Sequence, residues 1–486
     1  MAKGGVRFGA AVLALCAVAI GSALVMAQAA SSRAAYEADQ GAAFDERYAD
    51  RMERCRQPAA KAAKRARRAA RQLKRAERQA RKAEKRYRQS KTNGAARKLT
   101  QAKRKLKQAR KQSRKARKRV KRARENRRRC IAQLKRTLVT VEAGAAHSCG
   151  IRASGQAVCW GRNADGQLGD GTSEDRLTPV PVQDLTDAVA ITVGTYHSCA
   201  IRESGQAVCW GSNRYGRLGD GTTEPRSAPV PVEGLDDAVA ISAGEWHTCA
   251  IRESGHAVCW GQNLYGQLGD GTNEEERHTP HPVKDLEAVA AISSGTIHTC
   301  AIGGESGRLW CWGANGNRQL GDGTNEQRNQ PTEVIAGVRD VAAGAVRTCA
   351  IRTSGEALCW GNNEAGRLGT GHEDRHIPTP TPVVGLADAA MITVRGSHAC
   401  AIRTSGQAVC WGSNASGQLG DGTQEDRTGP TPVHGLDDAA LVSAGSSHTC
   451  AISARTLRTL CWGSNASGRL GDGSGEDHLT PTPIRH

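Results

Sequence analysis

The sequence predicts an all-β, seven-bladed ring preceded by a basic α-helical antiparallel coiled-coil hairpin. Three observations predict it. A unit of about 50 residues recurs seven times from about Ala143 to the C-terminus. Each unit holds short Val-, Ile- and Ala-rich runs separated by Pro, Gly, Asp and Asn. Ahead of the repeats lies a Lys/Arg-rich stretch with a hidden helical period.

Repeats of this length and texture form rings or stacks of equivalent modules. Runs such as PVPV, AVAIS, HTCAIR and AVCW carry the strand-and-turn signature, and four of them make one sheet of propeller-blade size. Pro and Gly recur too often for helix. The expected division is 1–29 as a signal peptide or membrane anchor, 30–50 as linker, 51–137 as the hairpin and 138–486 as the ring.

Repeated glycines such as Gly169, Gly219 and Gly269 serve turns that need positive φ. A phosphate-cradling role is disfavoured, because no helix follows them and no lysine is suitably placed. The repeated acids Asp170, Asp220, Asp270, Asp322, Asp421 and Asp472 would each give calcium one carboxylate where it wants several oxygens, so a turn role is expected.

The segments ISAGEWHTCAI (Ile241 to Ile251) and NLYGQLGDG (Asn263 to Gly271) resemble signatures of the regulator of chromosome condensation repeat family. The resemblance covers about 350 of the 486 residues. It implies a seven-bladed β-propeller. The chain departs from the family's general pattern by placing one cysteine two residues after the repeat His and another before the Trp.

Those cysteines form seven matched pairs: Cys149 with Cys159, Cys199 with Cys209, Cys249 with Cys259, Cys300 with Cys311, Cys349 with Cys359, Cys400 with Cys410, and Cys450 with Cys461. In most units a hairpin folded at Ser-Gly sets the two cysteines opposite each other on adjacent strands. Opposed residues in a non-hydrogen-bonded pair lie about 4.5 Å apart at Cα, which a disulfide can span. The rival reading is a metal site built from His-x-Cys and the second Cys. Arg347 argues against it, standing where six units have His (His147, His197, His247, His298, His398, His448) while Cys349 and Cys359 remain. The histidines are expected to be buried hydrogen-bonding residues, with no metal and no cofactor.

Disulfides require an oxidising compartment, and the N-terminus offers the route. Lys3 and Arg7 precede an apolar run from Phe8 to about Ala27, and Ala27-Gln28-Ala29 reads as a cleavage site. The run is long enough that a retained anchor at 8–27 stays open. The expected location is secreted or extracytoplasmic.

From Arg51 to Arg136 there are about 39 Lys and Arg against about 4 Glu, a net near +35, while the whole chain is +20. The remainder therefore sums to about −15: a basic arm precedes a mildly acidic ring. Met52, Cys55, Ala59, Ala62, Ala66, Ala69, Leu73, Ala76, Ala80, Ala83 and Tyr87 alternate steps of three and four. Ala95, Leu99, Ala102, Leu106, Ala109, Ser113, Ala116, Val120, Ala123, Arg127, Cys130 and Leu134 do the same. A break at Thr92-Asn93-Gly94 folds the two seams together, which predicts a Cys55–Cys130 bond. Pro58 is expected to begin the first helix. Like charges repel across the hairpin, so an anionic polymer or membrane surface is its expected partner. Nucleic acid would bind without sequence preference, and a plain spacer is the rival account.

Between the repeat Gly and His stand Ala145-Ala146, Thr195-Tyr196, Glu245-Trp246, Thr296-Ile297, Ala345-Val346, Gly396-Ser397 and Ser446-Ser447, with Arg395 at the Gly position of the sixth unit. Tyr196, Trp246, Ile297 and Arg395 are the candidate contacts for a protein or glycan; packing between blades is the alternative. No catalytic constellation is unique to one unit, so the expected function is a non-enzymatic, exported interaction platform. The resemblance adds two alternatives: guanine-nucleotide exchange on a small GTPase, and secreted protein inhibition.

Overall fold

The computed structural model of the chain describes residues 32–304 and 306–485, with side chains from Arg47 onward. The expected signal or anchor segment at 1–29 lies outside them. No helix among the described residues is long and apolar enough to cross a membrane. The chain divides into two compact units, Asp45–Arg136 and the unit that holds Thr137–His486.

The first unit is a helical hairpin of α1 (Ser32–Ser90) and α2 (Asn93–Leu134). Helix α1 runs through the stretch read as linker, so Pro58 lies inside it and does not begin it. Strong helix formers on both sides explain the continuity. Asp50 and Arg54 pair one turn apart just ahead of Pro58, whose ring forfeits one backbone hydrogen bond. The turn sits one residue earlier than the Thr-Asn-Gly break. Lys91 takes φ 51°, and Thr92 caps α2 by accepting from the Ala95 amide at 3.3 Å. Cys55, Ala59, Ala76 and Ala80 of α1 are buried, as are Leu99, Ala109, Ser113 and Leu134 of α2. Cys55 and Cys130 are bonded, with Cα atoms 5.8 Å apart. Small seam residues let two highly charged helices approach closely, and the bond fixes their pairing.

The second unit is a seven-bladed β-propeller. Blade 1 contains β1 (Leu138–Ala143), β2 (His147–Arg152), β3 (Ala157–Gly161) and β4 (Arg176–Pro181), paired in that order and antiparallel. The others repeat this plan over 188–231, 238–282, 289–335, 338–382, 389–432 and 439–483. Every blade is built from four consecutive strands, and the first strands of neighbouring blades pack together.

In each blade the two cysteines are register partners and are bonded, with Cα atoms 4.0–4.1 Å apart. Together with Cys55–Cys130 this makes eight disulfides, a set suited to an oxidising compartment. One tryptophan per blade (Trp160, Trp210, Trp260, Trp312, Trp360, Trp411, Trp462) is fully buried between sheets. Gly169 shows why the repeat glycine is needed. It takes φ 69°, and a Cβ there would meet Trp210 Nε1 at 2.7 Å.

Candidate functional site: the loop face of the ring

The scaffold of this face is a belt of side chains linking each blade to the next. His147 Nε2 lies 2.9 Å from Ser198 Oγ, and that hydroxyl donates to the Gln167 carbonyl. A hydroxyl has one proton, so it must accept from the imidazole, which fixes a neutral Nε2–H tautomer. The same link runs from His197 to Thr248, His247 to Thr299, His298 to Thr348, His398 to Thr449 and, closing the ring, His448 to Ser148. Burial pushes His147, His247 and His398 down to about 3 and His298 to about 4. The carbonyl that takes the hydroxyl also takes a tryptophan Nε1–H, as Gln167 does from Trp210 at 2.9 Å.

The seam between blades 5 and 6 departs from this scheme. Arg347 replaces the histidine and Ala399 replaces its hydroxyl partner. Arg347 is buried and donates from Nη2 to the Gly396 carbonyl at 2.6 Å. Trp411 Nε1 is buried without a hydrogen-bond partner among the described residues.

The repeated aspartates hold turns. Asp170 Oδ1 accepts from Thr172 N, Thr172 Oγ1 and Asn163 Nδ2, while Oδ2 accepts from Arg176 Nε at 2.8 Å. Burial raises the Asp170 pKa, but the Thr172 and Arg176 hydrogen bonds outweigh it and leave the carboxyl below its ordinary value. Blade 5 again differs, with Thr370 and Ile377 at the Asp and Arg positions.

Against this near-symmetric frame, blades 2 and 3 carry an aromatic cluster. The rings of Tyr196 and Trp246 lie 5.6 Å apart at a 41° tilt, and Tyr215 meets Trp246 edge-on at 5.8 Å. The Arg217 guanidinium carbon sits 4.7 Å from the Trp246 ring centre and 5.8 Å from that of Tyr196. Arg217 is fully buried, bonding the carbonyls of Arg214 and Glu245, each at 2.9 Å. Burial pushes its pKa down to about 10, against the pull of Glu245 and Asp165. Tyr196, Tyr215 and Trp246 are each half-buried, so they pack and face outward at once. Leu264 and Tyr265, on the matching loop of blade 3, are exposed.

Tyr196 and Trp246 are thus brought together as neighbours across blades. Ile297 holds the equivalent place in blade 4, half-buried. Arg395, expected among the surface contacts, turns its side chain toward carbonyls of other blades. Sequence reasoning missed Tyr215 and Arg217. Arg217 occupies a position that is Gln in four blades and Arg in two others, Arg367 and Arg469, so its identity alone gave no signal. The signal available was Tyr215, where the other blades carry Asp165, Tyr265, Asn317, Ala365, Ser416 and Ser467.

Ring, belt and turns define a class of repeat propeller that presents loops on a fixed scaffold. The regulator of chromosome condensation (RCC1) repeat model matches residues 154–201, 204–251, 254–302, 306–351, 354–402 and 405–452, and a second model of that repeat matches the overlapping stretches 138–167, 188–217, 238–267 and 338–367. The chain belongs to the RCC1 repeat family. It is similar to the ultraviolet-B receptor UVR8 of Arabidopsis thaliana, with 33% identity over 361 residues, 72% of this chain and 70% of that protein. Among solved structures, human WBSCR16 superposes with TM-score 0.61 at 21% identity, covering 68% of this chain and 94% of that one. Yeast RCC1 (Prp20), solved with Kap60, gives TM-score 0.60 at 19% identity, covering 73% and 86%. Both share the fold.

Proposed function

We propose that the chain is a non-enzymatic, exported or surface-held interaction platform, whose loop face docks a protein or glycan and whose basic hairpin meets an anionic surface. The observation that carries this reading is the cluster of Tyr196, Trp246 and Tyr215 around Arg217, formed by blades 2 and 3. Trp, Tyr and Arg are the residues that dominate binding hot spots. Scaffold needs do not explain the two aromatic residues, because the other blades hold together with Ala, Ser, Val or Ile at the Tyr196 and Trp246 positions. Arg217 shares its carbonyl-bonding role with Arg469 and serves here to back the rings. Eight disulfides fit work outside the cytoplasm and disfavour exchange on a cytosolic GTPase.

The test is capture of partners from the native exterior with the oxidised full chain, alongside Trp246→Ala and Tyr196→Ala. Loss of capture with an unchanged melting profile supports docking at this face. Full retention of every captured partner would show that the cluster is packing alone. For the hairpin, removal of 51–136 is expected to abolish retention on anionic surfaces. Binding to such surfaces should weaken steeply as salt rises toward about 0.5 M, and insensitivity to salt would refute the electrostatic reading.

A further inference from the structure

Six of the seven first strands are followed by glycine: Gly144, Gly194, Gly244, Gly295, Gly344 and Gly445. Blade 6 has Arg395 there, with its glycine moved one place on to Gly396, at φ 49°. The Arg395 side chain crosses to the far side of the ring. Its Nη1 donates to the carbonyls of Val193 at 2.5 Å and Ala143 at 3.3 Å, and Nη2 approaches that of Ala243 at 3.5 Å. Those three residues close the first strands of blades 2, 1 and 3. One guanidinium from blade 6 therefore meets strand ends from three other blades. Glu142 and Glu245 add negative charge around it.

A second observation concerns the neighbouring seam. Between blades 5 and 6 three bonds present elsewhere are missing: the His–hydroxyl link, the hydroxyl–carbonyl link at Ala399, and the Trp411 Nε1 bond. The side of the ring that lost its belt is the side that sends an arginine across the axis. A planar fork of five N–H donors can satisfy carbonyls spread across a wide mouth, which an apolar side chain cannot and which an ammonium, with three donors on one nitrogen, spans less well.

We infer that the loop-face mouth of the ring's axis is a guanidinium-binding site made of strand-end carbonyls, and that Arg395 fills it as a tethered ligand that ties blade 6 to blades 1–3. The chemical class it accepts is a small planar cation with several N–H donors. Because Arg395 occupies it, the wild-type site is closed to free guanidinium.

The test uses the oxidised full chain and Arg395→Gly, which restores the residue of the other six blades. The variant is expected to melt several degrees below wild type. Methylguanidinium at about 20 mM should recover more than half of that loss, as a ligand binding only the folded state must. Sodium chloride or tetramethylammonium chloride at equal ionic strength should recover none, and wild type should respond to none of the three. An unchanged midpoint in Arg395→Gly, or equal recovery by all three salts, would overturn the site. Should Arg395→Gly not fold, Arg395→Lys is read instead, and a midpoint at or above wild type overturns it. The tie to the weak seam is read separately. Adding Arg347→His and Ala399→Thr restores the belt and should at least halve the cost of Arg395→Gly; an undiminished cost removes the link between the two features.

Discussion

The Nη2 of Arg347 donates to the carbonyl of Gly396 across 2.6 Å, at the seam where the other blades join histidine to hydroxyl. Two departures meet there, Arg347 for His and Ala399 for Ser or Thr, and each makes sense only with the other. Arg347→His alone would face its Nε2–H toward a methyl group and cost about 1–3 kcal/mol. Arg347→His with Ala399→Thr should recover that loss, with a coupling energy of about 1 kcal/mol or more. Denaturant unfolding of wild type, both single variants and the double variant measures it; additive effects would rule out the pairing.

The belt histidines make the propeller acid-sensitive. Burial holds His147, His247 and His398 at about 3 and His298 at about 4, below the ordinary 6.5, and lowers His197 and His448 as well. The unfolded chain therefore binds protons first. Stability is fully present above about pH 6.5 and is lost as pH falls toward 4, at about 1.4 kcal/mol per pH unit for each histidine. Unfolding free energies at pH 7.5, 6 and 5 should fall with a slope of several protons. A flat profile would mean that these imidazoles are not buried neutral.

The eight disulfides should differ in worth. Opening a blade pair such as Cys199–Cys209, ten residues apart, is expected to cost about 3 kcal/mol from chain entropy. Cys55–Cys130 closes 75 residues, for which the same relation gives about 4.5 kcal/mol. Cys55→Ser with Cys130→Ser should lower the midpoint of helix loss at 222 nm while the propeller's melting stays put.

Arg217→Gln restores the residue that four other blades carry. Gln167 and Gln267 reach a backbone amide of their own loop, at 2.8 and 2.9 Å, so the substitution should keep the fold. It removes the cation between Tyr196 and Trp246 and should weaken partner capture by about tenfold, comparable to losing a cation–π contact with its supporting bonds. Thermal melting and capture, measured together, separate the two effects.

Much of this was legible in the sequence because it is encoded within one repeat. A ten-residue spacing across a Ser-Gly turn places Cys199 opposite Cys209, and the Asp-Gly-Thr run dictates the turn that Asp220 holds. The seam of the hairpin was readable for the same reason, since Cys55 and Cys130 flank a break at equal distance. What escaped involves reach between repeats or context beyond the window. Nothing in the spacing shows that Arg395 would cross to Val193, or that Arg217 would fill the gap between two rings. The start of α1 escaped too, because Pro58 is a strong stop signal that the helix formers before it override.

Among the described residues no blade borrows a strand from the opposite end of the chain. Closure of the circle falls to side-chain bonds, Ser148 with His448, Trp160 with the Arg469 carbonyl and Ser443 with the Ala143 amide, and to two backbone bonds, from the Ser446 amide to the Gly144 carbonyl and from the Gly473 amide to the Leu177 carbonyl. In its histidine–hydroxyl and tryptophan–carbonyl bonds the junction of blades 7 and 1 matches five of the others. Circularly permuted versions, joined between 483 and 138 and cut at any inter-blade connection, should assemble the same wheel. Growth or loss of whole units by gene duplication would need no repair of a shared sheet, only a new hydroxyl for the last histidine to meet.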